Sequence, residues 1–322
     1  MLVIKEKLKQ TIAYPLYEPY DKKEILFFDI ETTGFSPKTS YLYLIGCIYY
    51  EEDSWFLMQW LLEDQNKESE LLIAFSKKLK GYKRIIHYNG HRFDIPYLID
   101  KYKQFHLEDP FGDKDSFDLY KQVSPYKKLF PLPNMKLQTI STYLDFHRSD
   151  QYTGGELINV YSQFIGHLKY EKLIIDTKKE DQKSPYNQNS TGSSLDLANT
   201  LLLHNKEDVL SLLEISKILF YLDIFKFHFT KEQISVKHII DDKVSTMIIK
   251  TPNTVPREMD WYLPLWEDKN KFAKSQDKIE GINIKLQENK LYLRVPLYIG
   301  SLKYFYKDYL ILFYICIHNG YW

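Results

Sequence analysis

Apolar runs bounded by turn residues alternate with segments of helical periodicity along the first two thirds of the chain. Residues 25–28 are Ile, Leu and Phe, a length and composition typical of a buried strand. Further apolar runs occupy residues 41–50 and 54–62, and the short acidic link between them predicts two antiparallel neighbours. Together the three runs predict a three-stranded meander.

Helices and strands alternate after this meander. We predict helices at residues 68–79, 93–105, 154–164 and 195–221, strands at residues 84–88 and 117–119, and helical segments from there to about residue 146. A meander followed by helix–strand alternation implies a mixed sheet covered by helices on both faces. The predicted fold class is therefore α/β, with a mixed five-stranded sheet.

Differences in composition and hydrophobic pattern divide the chain into three regions. Residues 1–24 predict a polar, proline-punctuated N-terminal extension, and residues 25–222 carry the α/β pattern. Residues 223–322 predict a small β-rich C-terminal region, in which residues 282–298 resemble a hairpin. The polar segment at residues 176–194 predicts an exposed loop or a mobile insertion.

Composition and charge exclude several classes of protein. The formal net charge is 0 at pH 7, so any contact with nucleic acid has to come from a local basic patch. The two cysteines, Cys47 and Cys316, lack metal-site spacing, which argues against a zinc finger or a disulfide framework. No apolar run suits a signal peptide or a membrane span, since the longest, at residues 309–317, is too short. We therefore expect a cytoplasmic protein without membrane attachment.

Two acids stand at the end of the first apolar strand. Side chains alternate between the faces of a strand, so Asp29 and Glu31 point to one side and Ile30 to the other. Paired carboxylates on an apolar strand cost free energy unless something compensates them, and Mg²⁺ or Mn²⁺ suits such oxygen ligands. The pair indicates either a metal site or a strand end solvated by water. Thr32 follows it and begins the turn that ends the strand.

A second candidate lies where the strand at residues 84–88 meets the next helix. Asp94 stands in the first helical turn, where the helix dipole favours an acid with or without a metal. Asn89 is either a functional amide or an ordinary turn residue, and Phe93 belongs either to the core or to a base-stacking surface. Arg92 offers a phosphate contact or a solvated charge.

A third candidate lies in the long helix predicted at residues 195–221. His204 and Asp208 stand four residues apart and so share one helical face. An imidazole beside a metal-bound carboxylate can act as a general base, whereas a solvated helix face requires no function. Asp118, at the end of the fifth predicted strand, is interpreted as the cap of the helix that follows it.

These motifs, in this order, resemble the DEDD exonuclease superfamily, whose fold is ribonuclease-H-like. The shared features are Asp-x-Glu on the first strand, Asn-x-x-x-Phe-Asp between a strand and a helix, and a late helical Asp preceded by His. Residues 88–98, YNGHRFDIPYL, are similar to the corresponding motif in the proofreading domains of family B DNA polymerases. Residues 132–141 and 154–161 also resemble the YprB-like group of bacterial ribonuclease-H-like proteins. The resemblance covers roughly residues 25–222 and leaves the C-terminal region without a role.

The resemblance implies a 3′–5′ exonuclease that hydrolyses phosphodiester bonds at a single-stranded end of DNA or RNA, using two Mg²⁺ or Mn²⁺ ions. The resemblance assigns metal binding to four acids, Asp29, Glu31, Asp94 and Asp208. It assigns the role of general base to His204. The substrate contacts fall to Thr32, Asn89, Arg92 and Phe93. The family's third motif has Tyr four residues, or His five residues, before the last acid, whereas this chain has His four residues before it. The alternatives are a structure-specific endonuclease and a catalytically silent nucleic-acid-binding module on the same fold.

Overall fold

A computed structural model describes residues 1–178, 193–226, 230, 233–239, 244–264 and 281–296 of the chain. Most of the loop predicted at residues 176–194, and the apolar run at residues 309–317, lie outside the described residues. The chain divides into two compact units, Met1–Phe227 with Val255–Arg257, and His228–Thr254 with Glu258–Trp322. Among the described residues, no helix combines the length and the apolar character that crossing a membrane requires.

The first unit is built on a six-stranded mixed sheet. Its strands are β1 (Leu2–Lys7), β2 (Ile25–Thr32), β3 (Leu42–Glu51), β4 (Ser54–Leu61), β5 (Arg84–His87) and β6 (Asp115–Asp118). Their order across the sheet is β1-β4-β3-β2-β5-β6. The pairs β1–β4, β4–β3 and β3–β2 are antiparallel, whereas β5 pairs in parallel with both β2 and β6. The predicted meander and the mixed sheet are confirmed.

The predicted count of five strands was wrong, because the sheet has a sixth strand at one edge. Leu2–Lys7, in the predicted N-terminal extension, pairs antiparallel with β4. Only Leu2 and Ile4 of this strand are partly buried, and its second half is charged. Backbone pairing with β4 therefore holds the strand in place. The apolar run at its start, Leu2–Ile4, is too short to predict a strand by itself.

Seven helices accompany the sheet in the described part of the first unit. They are α1 (Glu68–Leu79), α2 (Asp94–Gln104), α3 (Leu119–Val123), α4 (Leu137–Tyr143), α5 (Gly154–Lys178), α6 (Ser194–Ile215) and α7 (Leu219–Lys226). The helix predicted at residues 195–221 is thus divided, since a short 3₁₀ turn at Ser216–Ile218 separates α6 from α7. The helix predicted at residues 154–164 continues much further, to Lys178.

Helices cover both faces of the sheet, as predicted. On β2, the ring of Phe28 packs against Phe75 of α1, with 5.5 Å between ring centroids. The next residue, Asp29, accepts a hydrogen bond from Asn205 of α6. Because consecutive side chains of a strand point to opposite faces, α1 and α6 lie on opposite sides of the sheet. Asp29 therefore faces α6.

The described part of the second unit is an antiparallel five-stranded sheet. Its strands are β7 (Ile234–Ile239), β8 (Val244–Lys250), β9 (Met259–Pro264), β10 (Gly281–Gln287) and β11 (Lys290–Pro296). Their order is β7-β8-β11-β10-β9. The predicted hairpin is β10 and β11, which turn at Glu288 and Asn289. The predicted β-rich character of the C-terminal region is confirmed.

Candidate active site

The end of β2 presents the first two predicted acids towards α6. Asp29 is half-buried, and Glu31 is buried with 8% of its surface exposed. Ile30 between them belongs to the hydrophobic core on the other face. The alternation expected from the sequence therefore places both carboxylates on one side of the sheet.

A glycine on β3 lets α6 approach Asp29 closely. Gly46 pairs with Asp29 across the sheet, and a Cβ atom added to it would lie only 2.0 Å from Oδ1 of Asn205. Asn205 donates a hydrogen bond from Nδ2 to Oδ2 of Asp29 at 3.3 Å. Gln59 of β4 in turn donates to Oδ1 of Asn205 at 2.9 Å. This chain of amides fixes α6 against the sheet and orients the Asp29 carboxylate.

Glu31 meets the two predicted residues of α6, although they are distant in sequence. Nε2 of His204 lies 3.2 Å from Oδ2 of Asp208 and 3.8 Å from Oε1 of Glu31. One potential ligand atom from each of these three residues lies within 4.8 Å of the others. The helical spacing of His204 and Asp208 thus has the expected consequence, because both side chains point at the end of β2.

Asp94 approaches the same region from α2. It is the first residue of that helix and is 7% exposed. Its carboxylate interacts with the backbone of Ile30, the residue between Asp29 and Glu31, and is within electrostatic range of Asp208. The four acids predicted from the sequence therefore share one site.

Burial and mutual repulsion raise the pKa values of Asp29, Glu31 and Asp94. Burial is the largest cause at Asp29, where repulsion by Asp208, Asp94 and Glu31 adds to it and the pKa is raised well above its ordinary value. Burial likewise raises the pKa of Glu31 to about 8 and that of Asp94 to about 7. Such a set of crowded oxygen ligands fits a divalent cation such as Mg²⁺ or Mn²⁺, which would offset the repulsion.

Residues that the sequence analysis missed surround His204. Asp150, buried at 8% exposure, places Oδ2 2.6 Å from Nδ1 of His204. Arg148 forms ion pairs with Asp208, with Asp150 at 3.3 Å, and with Glu207 at 3.5 Å. The polar run His-Arg-Ser-Asp at residues 147–150 was the only local signal for this cluster, and it resembles an ordinary loop.

Glu207 anchors the loop that carries Arg148 and Asp150. Its carboxylate accepts hydrogen bonds from the backbone N–H groups of Ser149 and Asp150, both at 2.9 Å. Since Glu207 is on α6 next to Asp208, these hydrogen bonds fix the position of the loop relative to the helix. Glu207, the neighbour of the predicted Asp208, is thus buried structural support for the site.

The surrounding carboxylates keep His204 protonated over a wide pH range. Burial alone would lower the pKa of the imidazole, but the hydrogen bond with Asp208 and the charges of Asp208, Glu31 and Asp150 outweigh it and raise the pKa to about 9. Together with Arg148, the imidazolium supplies positive charge among the acids. A cation that neutralised the carboxylates would lower this pKa and free Nε2 to accept a proton.

The predicted substrate residues lie at two places. Thr32 donates from Oγ1 to the carbonyl of Gly34 at 2.9 Å, at the end of β2. Phe93 is half-buried and meets Phe35 edge-on, with ring centroids 5.9 Å apart, and 90% of Phe35 is exposed. An exposed aromatic ring at the strand end that carries the acids is suited to stacking on a base.

Asn89 and Arg92 interact with the β6–α3 junction. The backbone N–H of Asn89, a residue with φ of 60°, donates to Oδ1 of Asp118 at 2.8 Å. The guanidinium of Arg92 lies 5.9 Å from the ring centroid of Tyr120. Asp118 also accepts from the N–H of Tyr120 at 3.0 Å, so its predicted role as a helix cap is confirmed.

Comparison with known families identifies the fold. Residues 26–220 match the family model RNase_H_2 of the RNase H superfamily. The chain belongs to the RNase H superfamily. The predicted ribonuclease-H-like fold is confirmed by this match, and membership supports nuclease chemistry and contact with nucleic acid.

Solved structures and curated proteins give two further results. The family B DNA polymerase from the hyperthermophilic archaeon Pyrobaculum calidifontis is similar in structure, with a TM-score of 0.44 and 17% sequence identity. The match covers 62% of this RNase H superfamily chain but only 25% of the polymerase chain. No match was found among curated proteins.

Proposed function

We propose that the chain is a metal-dependent 3′–5′ exonuclease of the DEDD type, which removes nucleotides from a single-stranded end of nucleic acid. The observation that carries this proposal is the convergence of Glu31, His204 and Asp208, whose ligand atoms lie within 4.8 Å of one another. Asp29 and Asp94 are close enough for their charges to act on the same cluster. Superfamily membership independently supports nuclease chemistry.

Asp29, Glu31, Asp94 and Asp208 would hold two Mg²⁺ or Mn²⁺ ions. When bound, such ions lower the pKa of water and stabilise negative charge on the attacking and leaving oxygens of a phosphodiester. Asn205 keeps the Asp29 carboxylate in place through its hydrogen bond at 3.3 Å. The expected specificity for a strand end rests on the resemblance to the DEDD superfamily.

His204 is the proposed general base. Its Nδ1 atom faces Asp150 at 2.6 Å, which fixes the ring and leaves Nε2 directed at Glu31 and Asp208. The neutral imidazole therefore accepts a proton at Nε2 and retains a proton at Nδ1, where the Asp150 carboxylate stabilises the resulting positive charge. Phe35 and Phe93 offer an aromatic surface for the terminal bases.

Single strands of DNA and RNA labelled at the 5′ end test the proposal when they are incubated with the protein and Mn²⁺. A ladder that shortens one nucleotide at a time from the 3′ end supports it. Discrete internal fragments would indicate an endonuclease, and intact strands with measurable binding would indicate a silent binding module; either result overturns the proposal.

A matched pair of variants locates the activity in the described site. Asp29→Asn preserves the shape of the side chain but removes a ligand charge, and we expect at least a 1,000-fold loss of activity, on the order of the loss seen when a catalytic group is removed. Asp100→Asn changes an exposed acid of α2 in the same way and should retain full activity. Full activity of Asp29→Asn would refute the site assignment.

A further inference from the structure

The five-stranded sheet of the second unit has one apolar and one polar face. Residues paired directly across an antiparallel sheet present their side chains on the same face. One such row, in β8, β11, β10 and β9, is Ile249, Leu291, Leu286 and Met259. The next residues along the same strands form rows on the opposite face, and they are largely polar.

The central strand β11 places two cations and an aromatic ring on this polar face. Lys290, Tyr292 and Arg294 alternate with apolar residues of the other face. Lys290 and Arg294 are exposed, and Tyr292 is half-buried between them. Because a strand rises about 3.3 Å per residue, the three side chains follow a line of roughly 13 Å.

A recess of about 430 Å³ opens on the same face. Its lining consists of polar, basic and aliphatic side chains, from Gln233, Ser235, Ile248, Lys250, Asn289 and Lys290. Lys250 and Lys290 are directly paired across β8 and β11, and both are exposed. Among the residues that the structure describes, none with a carboxylate lines the recess, and none forms an ion pair with either lysine.

Two lysines directly opposite each other repel, and such a pair destabilises a sheet. An anion held between the two ammonium groups would remove this cost. The described acids near this face lie elsewhere: Asp260 is on the far strand β9, and Glu258 pairs with Lys285 at 3.2 Å. Glu288, in the hairpin turn, does not line the recess. The recess therefore offers concentrated positive charge beside an aromatic ring.

We propose that this face binds a single strand of nucleic acid through its phosphodiester backbone. One phosphate sits between Lys250 and Lys290, a base stacks on the ring of Tyr292, and the backbone continues towards Arg294. Basic side chains that follow a line with an aromatic ring between them fit a phosphodiester strand, since bases stack on rings while phosphates meet the cations. A run of Asp and Glu side chains offers charge without rings and would leave Tyr292 unused.

This binding surface is independent of the acids proposed for catalysis. It lies in the second unit, and its occupancy requires no metal ion. Its test therefore measures binding in EDTA, which removes the divalent ions that the proposed cleavage requires. The binding result does not depend on whether the chain is an exonuclease. A failure of the binding surface would likewise leave the cleavage assay of the first unit intact.

The test compares the parent chain with two double variants by fluorescence anisotropy. The probes are labelled single strands of DNA and RNA of about 20 nucleotides, a length that exceeds the usual site size of one binding module. Lys250→Gln/Lys290→Gln removes the pair in the recess. Lys67→Gln/Lys103→Gln removes two exposed lysines of the first unit, which have ion-pair partners on their own helical segments. Both double variants lower the net charge by the same amount.

We expect the recess variant to bind at least tenfold more weakly, whereas the control variant changes affinity less than twofold. The slope of log affinity against log salt should fall by about 0.7 for each phosphate that the variant no longer neutralises. Tyr292→Leu should weaken binding roughly fivefold or more if a base stacks there. The recess variant should melt no lower than the parent chain, because it relieves a repulsion.

Equal affinities for the recess and control variants would overturn the proposal. Polyglutamate of similar length provides the other decisive comparison. Polyglutamate and an unlabelled single strand are each used to displace the labelled strand. If polyglutamate displaces it as well as the unlabelled strand does, and only when Lys250 and Lys290 are present, the surface recognises acidic polypeptides and the assignment to nucleic acid is wrong.

Discussion

Replacing Glu31 by glutamine should stabilise the metal-free protein at high pH. In the folded state, burial and the nearby acids raise the pKa of Glu31 from its ordinary value of 4.5 to about 8. The folded protein therefore keeps a proton that the unfolded chain releases, and its stability falls as pH rises from about 4.5 to about 8. A glutamine side chain has no charge in either state, so Glu31→Gln removes this source of pH dependence.

The structure sets the size of the effect. At about 1.4 kcal/mol for each pKa unit, ionising the buried Glu31 side chain costs at most about 5 kcal/mol of unfolding free energy at pH 8. Neighbouring groups adjust their protonation when Glu31 ionises, so we expect a measured gain on the order of 2 kcal/mol at about pH 8. The gain should shrink steadily towards pH 4.5, where Glu31 is protonated in the folded state and half-ionised in the unfolded chain.

Urea unfolding in EDTA at several pH values between about 4.5 and 8.5 measures this difference. Glu70→Gln, which changes an exposed acid of α1, is the matched control and should follow the parent chain at every pH. If the curves for Glu31→Gln and the parent chain ran parallel across this range, the reasoning about burial and charge crowding would be refuted. A loss of stability at the upper end of the range would refute it as well.

Three further predictions concern the same site. Saturating Mg²⁺ or Mn²⁺ should raise the melting temperature of the parent chain by several degrees at about pH 8, and that of Glu31→Gln by less. A ligand present at a concentration of about 100 times its Kd adds about 2.7 kcal/mol to the free energy of unfolding. An unchanged melting temperature in the parent chain would contradict a shared metal site. Asp150→Asn should lower kcat about 10- to 100-fold with little change in KM, because the carboxylate that orients His204 is lost; steady-state kinetics that show a rise in KM alone would argue against this role. Gly46→Ala should reduce the free energy of unfolding by about 1–3 kcal/mol, since the new Cβ would overlap Asn205; calorimetry that finds no loss would show that α6 can move aside.

Local patterns in the sequence were enough to predict the order of elements from β2 to α6, and to single out four acids that the structure brings together. Asp29 and Glu31 could be placed on one face because a strand alternates strictly, and His204 could be joined to Asp208 because a helix repeats about every 3.6 residues. Such periodicity depends only on residues that are close together in the sequence. The same rules assigned the helix cap at Asp118, which depends only on residues that follow it directly.

The surroundings of those acids depend instead on tertiary packing. Asp150 meets His204 across 54 positions of sequence, and Gln59 reaches Asn205 across 146. No local pattern encodes such contacts, because they depend on how α6 packs on the sheet over the space left by Gly46. The edge strand β1 and the Lys250–Lys290 pair escaped prediction for the same reason, since backbone pairing between distant strands brings these residues together.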